Sequence, residues 1–422
     1  MSRGSRWQVA PVLGSAPPGA RPMPRAVGLA LAASLAAACG DGGEARVTVE
    51  VEVPEDAPTV YLAGSLQALG PWDAAGLALD GDGALRRGVL TVPRGATFEY
   101  KFTLGSWDRE GLGPSGTVMG NFRLVAQGDT TVRQEIMGFK KDPRVYMDDV
   151  EGSGVLGDLV YWRDVASEFL AEPRHVEIWL PPGYEDDVDR RYPVIYVADG
   201  QNLFDPRLAN TGIDWGVDEA MVRNVEAGVH GPAIVVGVWN SSLRIQEYSP
   251  WHGAPAYASF LLEELMPRVD AAFRTLTDRD STFHMGSSMG GLLSWYLVKE
   301  HPERFSACGC LSTHFPHSER GVTAFLGDRG KGDPTPYVLA DIRAGARVPE
   351  GTRYFFDYGT EGLDADYAPV HRQVRAWLLD QGRVEGEDFV IRAYPGAGHD
   401  EAAWRARVGD QLAWLLAGRV PE

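Results

Sequence analysis

Cysteine is scarce, three in 422 residues, and positive charge is outnumbered, 40 Lys and Arg against 58 Asp and Glu. Two of the cysteines, Cys308 and Cys310, stand two apart in "FSACGCLST". Side chains at that spacing on a strand point the same way and rarely bridge, so both are expected as buried thiols. Stability must then come from the size of the core. A net charge of −18 excludes nucleic acid as a partner, because a phosphate backbone needs a basic surface. No acidic residue precedes Asp41, although Arg3, Arg6, Arg21 and Arg25 do. The apolar run behind Arg25, "AVGLALAASLAAAC", is too short to span a bilayer.

That run reads instead as the core of an export signal. Ending in "AAAC" at Cys39, with "GDGGEA" behind it, the segment 1–39 resembles a bacterial lipoprotein signal peptide, best proportioned from Met23. The resemblance implies export to the periplasm or cell surface and contact with the membrane only through a lipid on Cys39. Beyond it the composition is globular, 44% apolar with 12 Trp. The length exceeds one usual core, so two domains are expected.

In "RVTVEVEVP" Val47, Val49, Val51 and Val53 alternate with polar residues, and Phe98, Tyr100, Phe102 and Leu104 do so in "TFEYKFTL". "TVYLAGS" and "GVLTVP" lie between, set apart by Gly, Pro and Asp turns. Short strands at close spacing, with no long helical pattern before about residue 137, predict a small all-β sandwich over 45–137. "VYLAGSLQALGPWD", "FEYKFTLGSWD" and "NFR" in this region resemble the starch-binding type of carbohydrate-binding module. The resemblance implies glucan as a partner and Trp72 and Trp107 as stacking faces, an aromatic ring excluding water together with a sugar's apolar face. A core or rim role is the alternative for both tryptophans.

Polar, Gly-bearing sequence over 138–156 predicts a linker. After it come strand-length apolar runs, "HVEIWLP", "YPVIYVADG", "AIVVGVWN", "STFHMGS", "FSACGCLS", "RYFFDYG" and "FVIRAYPG". Amphipathic stretches such as "YASFLLEELMPRVDAAF" separate most of them. Continuous apolar strands alternating with helices predict, over 157–422, an α/β domain with a mostly parallel sheet covered on both faces.

"FHMGSSMGGL" sits at the end of one such strand and opens a helical pattern. Gly286-Ser287-Ser288-Met289-Gly290 is the only G-x-S-x-G of the chain. Strand, sharp turn and helix make the setting of a nucleophile elbow, in which Ser288 is the nucleophile and Ser287 an ordinary turn residue. A serine hydroxyl needs an adjacent base. His399, in the loop "PGAGHD" after the last strand, fits; the other histidines do not. His314 and His317 in "HFPH" have metal-like spacing without acid or cysteine support, so no metal or cofactor is expected, and His314 is read as a pocket wall. The acid should follow "RYFFDYG", where Asp357, Glu361, Asp364 and Asp366 compete. Asp357 ends the strand and points into structure; Asp364 is preferred and Glu361 is second. The oxyanion hole needs two backbone N–H groups, assigned to Met289 and to Gln201 behind Gly200, a glycine that would let the chain turn sharply.

Together "RYPVIYVADGQNLFD", "DWGVDEAM", "RIQEY", "GSSMGG", "DYGTEGLD" and "PGAGHD" resemble the putative-esterase family of α/β-hydrolases. That family includes feruloyl esterases, catecholate-siderophore esterases, S-formylglutathione hydrolase and mycolyltransferases. The resemblance spans nearly all of 157–420. It implies the α/β-hydrolase fold, Ser288, His399 and the Met289/Gln201 hole, and it adds Arg244, Glu247 and Tyr248 as substrate contacts or a structural ion pair and core tyrosine. A serine esterase acting on small-molecule or carbohydrate-linked esters is the expected function. An acyltransferase, a catecholate-siderophore esterase and a non-catalytic carbohydrate-binding protein are the alternatives.

Overall fold

Nine short strands lie between residues 44 and 139: β1 (Glu44–Glu52), β2 (Tyr61–Gly64), β3 (Leu77–Ala78), β4 (Leu85–Pro93), β5 (Ala96–Thr103), β6 (Gly111–Leu112), β7 (Phe122–Ala126), β8 (Thr130–Glu135) and β9 (Gly138–Phe139). They form sheets of order β4-β1-β8 and β3-β2-β5-β7, with β6 and β9 as a separate pair. Alternation is what orients them: Val47, Val49 and Val51 of β1 and Phe98, Tyr100 and Phe102 of β5 are buried in one shared cluster. The computed structural model describes residues 43–417 apart from 71, 115, 117 and 322–331. Cys39 and the signal-like segment lie outside the described residues.

The stretch expected to be a linker carries structure of its own. Gly138 and Phe139 pair with β6, and Pro143–Met147 is helical. Asp142 caps that helix by accepting the Arg144 N–H, and Pro143 supplies the preset φ of a first helical position.

Eight further strands make one sheet: β10 (Asp158–Val165), β11 (Arg174–Leu180), β12 (Val194–Ala198), β13 (Ile234–Val238), β14 (Thr282–Ser287), β15 (Ala307–Leu311), β16 (Arg353–Gly359) and β17 (Phe389–Tyr394). Their order is β10-β11-β13-β12-β14-β15-β16-β17, and β11 alone opposes the others. Both faces are covered at β12 and β13, which is why these strands are apolar and buried throughout. Val194, Tyr196 and Ala198 of β12 enter one core cluster and Ile195 and Val197 the other. After β12 the chain moves to one side for β13 and returns to the other for β14, so a crevice opens at the carboxyl ends of these strands. Cys308 and Cys310 are buried, unbridged neighbours on β15. No described helix is long and apolar enough to cross a membrane.

Candidate active site

β14 ends at Ser287, and the next residue, Ser288, takes φ 55° and ψ −116° before the helix Met289–Glu300 begins. The glycines around it serve close approach rather than unusual φ, since none of Gly286, Gly290 and Gly291 is at positive φ. A Cβ on Gly286 would stand 2.7 Å from the backbone carbon and oxygen of Gly290. One on Gly290 would stand 3.1 Å from the Ala198 Cβ. The strained conformation therefore falls on the serine, and the glycines let strand and helix pack closely on either side of it.

Two loops bring an imidazole and a carboxylate to it. The loop after β17 is joined to the loop after β16 by bonds from the Thr360 and Glu361 N–H groups to the Ala397 carbonyl, 2.9 and 3.0 Å. Gly359 is needed there, because a Cβ would run into that same carbonyl. As a result His399 Nε2 lies 2.9 Å from Ser288 Oγ, and His399 Nδ1 lies 2.6 Å from Asp364 Oδ1. Trp404 and Tyr367 meet the imidazole edge-on, with ring centroids 5.2 and 5.7 Å away. Asp364 is fully buried. Burial raises its pKa, but the bonds from His399, Ser312 Oγ and the Gly359 N–H outweigh burial and hold the carboxyl below its ordinary range. Glu361 is exposed on the same loop. Asp357 is fully buried, bound to Ser312, Arg407 and Gln411.

Among the described residues, neither the Met289 N–H nor the Gln201 N–H is donated to an acceptor. The sharp turn before Gln201 is made by Asp199, at φ 62°, and not by Gly200 as expected. Gly200 is glycine because a Cβ would stand 2.5 Å from the backbone of Gly237. Asp199 is held by the Arg244 guanidinium on both oxygens, each 2.7 Å, by Asn240 Nδ2 at 2.7 Å, and through its own N–H by the Tyr248 hydroxyl at 3.2 Å.

Ser288 and His399 open into a cavity of about 240 Å³ lined also by Asn202, Asn210, Asn240, Arg244, Glu401 and Trp404. Burial raises the Glu401 pKa. Of the three residues expected to contact substrate around "RIQEY", only Arg244 lines the cavity. Glu247 instead forms a two-pronged ion pair with the buried Arg174, both bonds 3.1 Å, and Tyr248 is fully buried as the support of Asp199. The His314 imidazole Nδ1 is hydrogen-bonded to the Tyr367 hydroxyl, and the backbone N–H of His314 donates to the Ser288 carbonyl. Burial, with His317 and His399 nearby, pushes its imidazole down to about 3. It does not line the cavity; Ser287, read as an ordinary turn residue, does. Asp199, Asn240, Ser312 and Arg407 were not singled out by the sequence pattern, having no local signature. One acidic trio, Asp214, Asp218 and Glu219, is gathered at the start of the helix Val217–Glu226, where Arg405 bridges Asp214 and Glu219.

In the N-terminal sheets Trp72 and Trp107 come together, ring centroids 6.2 Å apart. Trp72 has φ 59°, a strained value for a bulky side chain, and Trp107 is 37% exposed.

The strand order and the strained serine at the end of β14 define an α/β-hydrolase-like fold. The chain belongs to the putative-esterase family, whose model matches residues 167–415, and is a carboxylic ester hydrolase. It is similar to the uncharacterized protein YbbA of Bacillus subtilis, 22% identical over 268 residues that span 59% of this chain and 95% of that one. It is also similar to an endo-1,4-beta-xylanase/feruloyl esterase of Xylanibacter ruminicola, 25% identical over 251 residues that span 53% of this chain and 32% of the relative. Among solved structures, a ferulic acid esterase aligns over 62% of this chain and 98% of its own at 18% identity, with a TM-score of 0.47. The enterobactin esterase of Shigella flexneri aligns over 89% and 94% at 17% identity, with a TM-score of 0.49.

Proposed function

We propose that the chain is a serine esterase that cleaves small, polar, carbohydrate-linked carboxylic esters through an acyl-enzyme on Ser288. The observation that carries the reading is the unbroken hydrogen-bonded line from Ser288 Oγ through His399 to Asp364. His399 Nε2 takes the hydroxyl proton as Ser288 Oγ attacks the ester carbonyl. Asp364 keeps the imidazole in the required tautomer and stabilises the imidazolium that forms. The Met289 and Gln201 N–H groups receive the developing oxyanion. His399 then gives its proton to the departing alcohol, and water repeats the steps to release the acid. The carboxamides of Asn202, Asn210 and Asn240, together with Glu401, favour a substrate bearing hydroxyl groups over an apolar acyl chain.

A fluorophosphonate ester tests this directly. Peptide mass mapping should find the phosphonyl adduct on Ser288, and His399→Ala protein should react far more slowly. An adduct on Ser287 or on any other serine would sink the assignment.

The paired tryptophans support a second, separate reading, a glucan platform on the N-terminal sheets. Trp72→Ala should lower retention on insoluble starch without changing turnover of a soluble ester; a parent protein not retained on any polysaccharide would leave the pair structural. From "AAAC" we also infer a lipid-anchored, exported protein, for which mass spectrometry of the native N-terminus should find acylated Cys39.

A further inference from the structure

Three residues that directly follow strands of the large sheet take positive φ without being glycine: Asp199, Ser288 and Ser312, at 62°, 55° and 41°. The first two belong to the cavity. Ser312, behind β15, is fully buried and does not line the cavity. A strained residue persists only where its surroundings over-determine it.

Four hydrogen bonds do so here. The Ser312 N–H donates to Asp357 Oδ1 at 2.7 Å. Its Oγ accepts from Trp404 Nε1 at 2.9 Å and from Arg407 Nη2 at 2.6 Å. A hydroxyl has two lone pairs and one proton. With both lone pairs taken, the proton is left for Asp364 Oδ2, 2.5 Å away. That oxygen also receives the Gly359 N–H at 2.6 Å, so the other oxygen, Oδ1, is left for His399. Arg407 is fixed in turn. It is 3% exposed, with Nε on Asp357 Oδ1 at 3.2 Å and Nη1 on the Ala403 carbonyl at 3.1 Å. Gln411 Nε2 occupies the second oxygen of Asp357 at 2.8 Å, and Arg407 Nη2 stands 3.9 Å from Asp364 Oδ2. One buried guanidinium thus sits between two buried carboxylates, with the serine hydroxyl as the link to the one that serves the histidine.

We propose that Ser312 is a positioning residue: aimed by Arg407 and Trp404, its hydroxyl locks the Asp364 carboxylate so that Oδ1 stays on His399 Nδ1 while the imidazolium forms. The inference rests on the reading of Ser288, His399 and Asp364 as the reacting set. It assigns the strain at Ser312 to the rate of the reaction rather than to the stability of the fold.

The test is a double-mutant cycle on a soluble p-nitrophenyl ester. Ser312→Gly removes the hydroxyl where positive φ favours glycine, a relief that offsets part of the cost of leaving Trp404 Nε1 and Arg407 Nη2 without their acceptor, so the protein should stay folded with a Tm within several degrees of the parent. Its kcat should nevertheless fall roughly tenfold or more, with KM changed less than about twofold, as should that of Ser312→Ala. Alanine keeps the Cβ and so leaves less room than glycine for a water in place of the hydroxyl, so its value decides if the two differ. In an Asp364→Asn background the same substitutions should cost less than about twofold, because there is no carboxylate left to position. Parent-like kcat in both Ser312 variants would overturn the proposal. So would an equal loss with and without Asp364. Ester turnover surviving in Ser288→Ala would instead overturn the underlying assignment of the reacting set, and Ser312's role with it.

Discussion

Asp364 and Glu361 stand three residues apart, and only one can serve His399. Asp364 is buried, with one oxygen bound by Ser312 and Gly359 and the other by the imidazole. Glu361 is exposed, and its N–H, with that of Thr360, ties the loop to Ala397. An amide at the acid position leaves geometry intact but favours the wrong tautomer, a loss of about 10⁴ in kcat in the serine-protease precedent. Asp364→Asn is therefore expected to lose several orders of magnitude in kcat with little change in KM. Glu361→Gln should lose at most about tenfold, roughly 1.4 kcal/mol of barrier. Steady-state kinetics on a soluble ester rank the two, and the reverse order would move the acid to Glu361.

The elbow works as an element because three glycines meet three different surroundings. At Gly286 a Cβ would press at 2.7 Å on backbone, which cannot rotate away. At Gly290 the nearest atom is the Ala198 Cβ at 3.1 Å, and at Gly291 it is the Cys310 Cβ at 3.4 Å, ordinary contact. Gly286→Ala should therefore destabilise by about 1–3 kcal/mol and abolish turnover, Gly290→Ala should do less, and Gly291→Ala should be neutral or stabilising by up to ~1 kcal/mol through helix propensity. Thermal unfolding of the three proteins checks the order; a Gly291→Ala protein weaker than Gly286→Ala would refute it. Much of this element was legible in the sequence, because strand, glycine spacing and helix are contiguous. So were seven strands of the large sheet, each a continuous apolar run. β10 was not: it is an edge strand, its "DLVYWRDV" mixing exposed and buried positions without a clean period. The helix at Pro143–Met147 carried a signal, Asp142-Pro143, that polar composition masked. In "YASFLLEELMPRVDAAF" a six-residue π turn, Phe260–Leu265, precedes Pro267 and lets the helix continue past a residue without an N–H. For "RIQEY" the motif was visible, but which side chain faces the cavity is fixed by Arg174 and Asp199, far away in the chain. The support of Asp364 is hidden for the same reason, with Ser312 and Arg407 95 positions apart.

At the scale of the whole molecule, the segment behind the N-terminal sheets is tied to a loop that carries part of the cavity wall, and one of the ties is a lysine. Lys140 Nζ donates to the Ala209 carbonyl at 3.1 Å, while its own carbonyl accepts from Arg109 Nε at 3.0 Å. Burial lowers the Lys140 pKa, with Asp108 and Glu110 opposing the shift. Ala209 lies in the loop between β12 and the helix Val217–Glu226, and that loop is cross-braced. The Asn210 N–H donates to Asn202 Oδ1 at 2.8 Å, and Arg207 ties Asp205 to Asp149, each at 2.8 Å. Asn202 and Asn210 both line the cavity. A group behind the N-terminal sheets thus holds a wall of the site without touching a reacting atom, and its loss should weaken binding of the ground state more than it slows the chemistry. Lys140→Met keeps the apolar stem and removes the ammonium, so the Ala209 carbonyl keeps only the Gly212 N–H, 3.2 Å away, as a donor, at a cost of up to about 1 kcal/mol in stability. The expected result is a severalfold rise in KM for a carbohydrate-linked ester, a smaller rise for a p-nitrophenyl ester too short to reach that wall, and kcat within about twofold for both. A parent-like KM for the larger ester would mean that the loop holds its shape without the tether. A fall in kcat equal for both esters would mean that the lysine acts on Ser288 or His399, and the wall assignment would fall with it.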